Sequence, residues 1–164
     1  MAATPTGHRI GTDLRLVRSF DAPIGEVWAA ITESDRLARW IGYYEGEPAS
    51  GSVGFFMTAE SDDPASERVV IEQCSPPDLL LIRLQGGASW RLKLELAESG
   101  GATSLTFTHV DVDPAQLESI GPGWDFYLDR LSAAMSGGDV AAIDFDADYY
   151  PAMAAYYRAE ASRE

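Results

Sequence analysis

His109 ends the segment Thr103-Ser-Leu-Thr-Phe-Thr-His, in which Leu105, Phe107 and His109 share one parity. In an extended chain that parity places the imidazole on the apolar face, aimed at whatever covers it. A histidine facing a cavity acts as a general base or binds the polar end of a ligand. The plainer alternative is an interior histidine with a hydrogen-bond partner. Asp125 and Asp129 stand four apart on a helical pattern. Paired carboxylates do acid–base work when one is desolvated. These two flank the apolar stripe of that helix, so a solvated face is expected. Arg83 interrupts an apolar run, residues 79–84. Buried, it would need a carboxylate or an anionic ligand; an outward, edge-facing arginine is expected instead.

Trp40, Trp90, Trp124 and Tyr127 are candidates for an aromatic wall, which suits an apolar or aromatic guest. Leu92, Phe107, Leu128 and Leu131 would complete it. Phe55 and Met57 extend it if their strand has the right phase, and the opposite phase is equally allowed. The same stripes also build ordinary cores. Asp144-Phe-Asp-Ala-Asp148 lacks both the glycine and the final acidic ligand of a calcium loop, where Ala155 stands. Two histidines and the single Cys74 are too scattered for a zinc motif. There is no phosphate-cradling glycine loop and no nucleophile elbow, and nothing marks Cys74 as an activated thiolate. Neither a metal nor a cofactor is expected.

These residues need a scaffold, and the pattern supplies one. Residues 14–20 alternate, with Leu14, Leu16 and Phe20 on one face. Pro23 then opens a helix carrying Ile24, Val27, Trp28 and Ile31 at helical spacing. Ser34 can cap a second short helix with Leu37, Trp40 and Ile41 on one side. Strands follow at 41–45, 53–59, 67–74, 79–84, 90–96 and 103–110, at the close spacing of an antiparallel meander. Asp113-Pro-Ala-Gln reads as a helix start, Gly121-Pro-Gly as a break. Beyond it, Trp124, Tyr127, Leu128, Leu131 and Met135 trace a long helix that Ser136-Gly-Gly ends. Residues 1–12 read as a loose tail, 13–138 as one domain. Residues 139–164 read as an extension whose short helix, from about residue 151, packs on that domain.

At 164 residues, with 46% hydrophobic and 23% charged residues, one folded domain is expected. A formal charge of −14 disfavours nucleic acid and anionic membranes as partners. No apolar stretch approaches a membrane span. One cysteine forbids an internal disulfide, and the first residues hold no apolar signal sequence, so the cytoplasm is the expected compartment.

The strand, two helices, six strands and long helix resemble the START-like helix-grip superfamily, also called SRPBCC. Phe20-Asp-Ala-Pro-x-x-x-Val-Trp-x-Ala-Ile-Thr and Leu37-Ala-Arg-Trp resemble the opening of the activator of heat-shock-protein-90 ATPase homologue family. Ser75-Pro-Pro-Asp-Leu, the His109 segment and Gly123-Trp-x-x-Tyr-Leu-Asp-Arg-Leu resemble it further on. The resemblance implies an α+β fold: a seven-stranded curved antiparallel sheet wrapped round a long C-terminal helix, with two short helices after the first strand. It also implies a pocket between sheet and long helix. The expected function is binding of a small apolar or aromatic molecule there. One alternative is a cyclase- or dehydratase-type enzyme using His109 in the same pocket. The other is a co-chaperone-like interaction module, with a protein partner or a homodimer.

Overall fold

Strict alternation of apolar and polar residues makes one dry sheet face, and the chain builds its fold around that face. The computed structural model describes residues 3–61, 63–86 and 89–163. Its strands are β1 (His8–Ile10), β2 (Asp13–Phe20), β3 (Tyr43–Glu45), β4 (Ser52–Phe56), β5 (Ser66–Ser75), β6 (Leu79–Leu84), β7 (Arg91–Ser99) and β8 (Ala102–Val110). They form one sheet in the order β1-β2-β8-β7-β6-β5-β4-β3, every neighbouring pair antiparallel. The register aligns Leu14 with His109 and Leu16 with Phe107, and Leu92 with His109 and Leu94 with Phe107. Leu14, Leu16, Leu92, Leu94, Leu96, Leu105 and Phe107 are all buried.

Between β2 and β3 come α1 (Ile24–Thr32) and α2 (Ser34–Leu37). Pro23 stands at the N-cap of α1, in extended conformation, one residue earlier than first-turn placement would put it. Val27, Ala30 and Ile31 bury the inner side of α1. The long helix α3 (Leu117–Ser136) lies on the sheet's dry face and buries Trp124, Tyr127, Leu128 and Leu131. Gly137 ends it in left-handed conformation, φ 77°, as expected for a helix stop.

Three expectations need correction. The sheet has eight strands rather than seven, because residues 8–10, expected in a loose tail, pair with β2. Gly121-Pro-Gly does not break the helix; Pro122 lies inside α3. A proline there removes one backbone hydrogen bond, a penalty of about 3 kcal/mol. The burial of Ile120, Gly121, Pro122 and Trp124 against the domain offsets it. The third correction concerns the end of the chain. A four-residue helix α4 (Phe145–Asp148) precedes α5 (Ala154–Ala161), which starts three residues after Pro151.

Tyr149, Met153 and Tyr157 of the extension are buried. Tyr157 lies so close to Gly121 that any Cβ there would meet its ring at 2.3 Å. Glycine at this point lets α5 approach α3.

Candidate functional site

The apolar face of the sheet and the inner side of α3 do not meet everywhere. Between them lies a cavity of about 940 Å³, within the roughly 300–1,000 Å³ of small-molecule sites. Trp40, Phe55, Met57, Trp90, Leu92, Phe107, Trp124, Tyr127 and Leu128 all line it. Leu131 is fully buried elsewhere in the core. Phe55 and Met57 face inward, which decides the phase that the sequence left open.

The aromatic wall residues Trp40, Trp90, Phe107 and Trp124 are held by specific contacts. Trp40 Nε1–H donates to the Ala30 carbonyl at 3.0 Å, tying the turn after α2 to α1. Arg130 Nε–H donates to the Trp40 carbonyl at 2.8 Å, tying that turn to α3. Phe107 and Trp124 pack with ring centroids 4.6 Å apart. Trp90, just before β7, tilts 60° against Trp124 at 6.1 Å.

Polar groups in the wall are few. The Tyr127 hydroxyl donates to Glu60 Oε1 at 2.7 Å, and both residues line the cavity. Burial, then the Glu60 carboxylate, push the Tyr127 phenol well above its ordinary range. It stays protonated, and its one proton is engaged by Glu60. Sequence reasoning had no signal for Glu60, which sits in the loop after β4. Tyr44, also in the wall, donates its hydroxyl to the Thr32 carbonyl at 3.0 Å.

His109 is not part of this wall. It stands behind Trp90 and Trp124, with ring centroids at 4.7 Å and 6.2 Å, and is 2% exposed. Trp124 Nε1–H donates to its Nδ1 at 3.0 Å. The indole nitrogen can only donate, so Nδ1 must accept and the neutral ring carries its proton on Nε2. Burial lowers the His109 pKa to about 4, against a small opposing pull from Asp13. Nδ1 is thus unavailable as a base, and the residue is the hydrogen-bonded interior histidine weighed as the plainer alternative.

Two charged residues depart from expectation. Arg83 lies on β6, an inner strand, and its Nε is 3.4 Å from Glu72 Oε2. Arg91 is bound more tightly to the same carboxylate, at 2.7 Å. Asp125, expected on a solvated face, is wholly buried. It accepts from Arg18 Nη2 at 2.9 Å and from the hydroxyls of Thr6 and Tyr157. Asp129 accepts from Arg18 Nε at 3.1 Å and from the Tyr149 hydroxyl at 2.7 Å. Asp125 does not line the cavity. The network binds the N-terminal segment, β2 and the extension to α3. Arg18 shares the parity of Leu14, Leu16 and Phe20, and that was the available signal.

The sequence profile of the activator of Hsp90 ATPase homolog 1-like proteins matches residues 21–136, from the end of β2 to the end of α3. The chain belongs to this family. No curated protein matches it. Among solved structures, a Bordetella parapertussis protein determined by solution NMR is 24% identical with a TM-score of 0.70, covering 99% of this chain and 93% of that one. CalU16 of Micromonospora echinospora is 24% identical with a TM-score of 0.66, covering 96% and 91%. DynU16, described as a putative protein in the dynemicin biosynthetic locus, is 22% identical with a TM-score of 0.67, covering 80% of this chain and 50% of that one. These likenesses establish the helix-grip fold. Among the described residues, no helix is long and apolar enough to cross a membrane.

Proposed function

We propose that this member of the family binds a small apolar or aromatic molecule between the sheet and α3, without a cofactor. The cavity of about 940 Å³ carries this reading. Protein interiors are close-packed, and a space this large, walled by tryptophan, phenylalanine, leucine and methionine, suits a guest. Trp40, Trp90 and Trp124 offer ring faces to its body. The Tyr127 hydroxyl gives its proton to Glu60, so the pair offers acceptor oxygens to a polar substituent. The single cysteine supports a reducing, cytoplasmic setting. Native mass spectrometry of the purified chain tests the reading, together with titration of tryptophan fluorescence by 2-ethylnaphthalene. We expect a bound small molecule or quenching that saturates below about 1 mM. No adduct and no quenching at that concentration, about −4 kcal/mol, would sink it.

One observation favours a second reading, a cyclase- or dehydratase-type enzyme. Tyr127 and Glu60 form a proton-sharing pair in the cavity wall, and they take the acid–base role first given to His109. On that reading Glu60→Gln abolishes turnover of a bound substrate while binding persists. On the container reading it alters only ligand preference. The interaction-module reading needs a filled core, and the cavity weighs against it.

A further inference from the structure

The charged groups that touch the large cavity all have one sign. Glu60, Glu67 and Asp146 line it, and among the described residues no lysine, arginine or histidine does. None of the three carboxylates has an ion-pair partner among the described residues. Glu67 stands opposite Phe55 in the pairing of β5 with β4, so it shares the sheet face that Phe55 turns to the cavity. Glu60 and Asp146 are exposed as well as lining, which puts them at the mouth. Asp146 lies in α4, beyond residues 21–136 of the family match, so its charge comes from the extension.

Hydrogen bonding in the wall has the same sense, independently of charge. The Tyr127 and Tyr44 hydroxyls give their protons to Glu60 and the Thr32 carbonyl. The Thr32 hydroxyl donates to the Trp28 carbonyl at 2.6 Å, and the Ser119 hydroxyl to the Gln116 carbonyl at 3.0 Å. Each of these hydroxyls has only lone pairs left for a guest. The Trp40 and Trp124 indoles are spent on Ala30 and His109. Among the described residues, Trp90 and Gln116 are the wall residues whose side-chain N–H groups are not so engaged. Burial raises the Tyr44 phenol, and Glu33, Asp35 and Glu47 raise it further. The negative field thus extends past the residues that touch the cavity.

We propose that the guest is an amine: an apolar or aromatic body between the sheet and α3, with its protonated nitrogen at the mouth among Glu60, Glu67 and Asp146. The inference rests on the cavity holding a guest, and it adds that guest's charge and chemical class. An ammonium group carries donors and no acceptor, the complement of a wall rich in acceptors. At an exposed mouth it keeps part of its hydration, so the cost of burying a charge is largely avoided. Aromatic faces attract cations too. The Phe126 ring of this wall already carries one, the Arg130 guanidinium, 5.3 Å from its centroid. Arg130 itself is held by the Trp40 and Val140 carbonyls and lies outside the lining. The formal charge of −14 draws cations toward the chain and repels anions.

The test uses probes that share one aromatic body and differ in charge. They are 2-(aminomethyl)naphthalene, cationic at neutral pH, its neutral isostere 2-ethylnaphthalene, and the anion 2-naphthoate. Quenching of tryptophan fluorescence reads their affinities. We expect the amine to bind about fivefold tighter than the ethyl probe, the upper yield of one exposed ion pair, and 2-naphthoate to bind weakest. The advantage of the amine should shrink as salt rises from about 20 mM to about 500 mM, because charges at an exposed mouth are screened. In Glu60→Gln and in Asp146→Asn the ratio of amine to ethyl affinity should fall toward one. A ratio cancels any general loosening of the fold. An amine that binds no tighter than the ethyl probe, a naphthoate that binds as tightly as the amine, or a ratio that neither salt nor either variant changes overturns the inference, while binding of the neutral probe keeps the cavity reading. Failure of all the probes to bind overturns the two together.

Discussion

Arg18 on β2 and Asp125 on α3 form an ion pair of 2.9 Å in which the carboxylate is wholly shielded from water. The guanidinium is also within 3.0 Å of Asp129 and donates to the Thr6 hydroxyl at 2.7 Å. A buried pair of this kind adds little over a well-packed apolar pair, yet breaking it by removing one partner is costly. We therefore expect Arg18→Ala to lose about 3–5 kcal/mol, because Asp125 would lose its guanidinium partner in a site without solvent. Arg18→Met paired with Asp125→Leu should recover part of that loss, the remainder being the Tyr157 and Thr6 hydroxyls left without their acceptor. Urea denaturation of the two variants checks it. A single variant within about 0.5 kcal/mol of the parent would show that the pair is not a structural unit.

Gly121 and Tyr157 make a contact whose consequence runs against helix propensity. In an ordinary helix interior, Gly→Ala stabilises by about 1 kcal/mol. Here a methyl group would sit 2.3–2.5 Å from three atoms of the Tyr157 ring, which is itself fully buried. Gly121→Ala should therefore destabilise, by about 1–3 kcal/mol, and should loosen α5 first. Hydrogen exchange reads this directly as faster exchange in residues 154–161 than in α3. Stabilisation by Gly121→Ala alone would mean that α5 is not seated as described.

Periodicity made most of the sheet and the C-terminal end of α3 readable in advance; the start of α3 was misplaced to the far side of Gly121-Pro-Gly. Leu92, Leu94 and Leu96 face the core because a strand has no other way to hide three leucines on alternate positions. What escaped was set by distant partners. His8–Ile10 is too short and too polar to announce a strand; it pairs because β2 offers an open edge. Asp125 looks like surface in any local window. Its burial depends on Arg18, Thr6 and Tyr157, up to 119 positions away. The parity of His109 with Phe107 was legible, but its seat behind Trp90 was not. That seat depends on how two indoles from different elements pack.

The last prediction concerns acid. His109 titrates at about 4 in the folded chain, held there mainly by burial, and near 6.5 when unfolded. Between those two values the unfolded chain binds the extra proton and the folded one does not. Stability should accordingly fall as pH drops from about 6.5 to about 4, with no further contribution below the folded pKa. The whole effect is about 3 kcal/mol. Asp13 opposes burial by pulling the pKa upward. His109→Gln supplies the reference. Its amide oxygen can accept from Trp124, and it cannot charge. Stability of parent and variant, measured by denaturation between about pH 7 and pH 4, should converge as the medium becomes more acid. Parallel curves would show that His109 is not held neutral by burial in the folded chain.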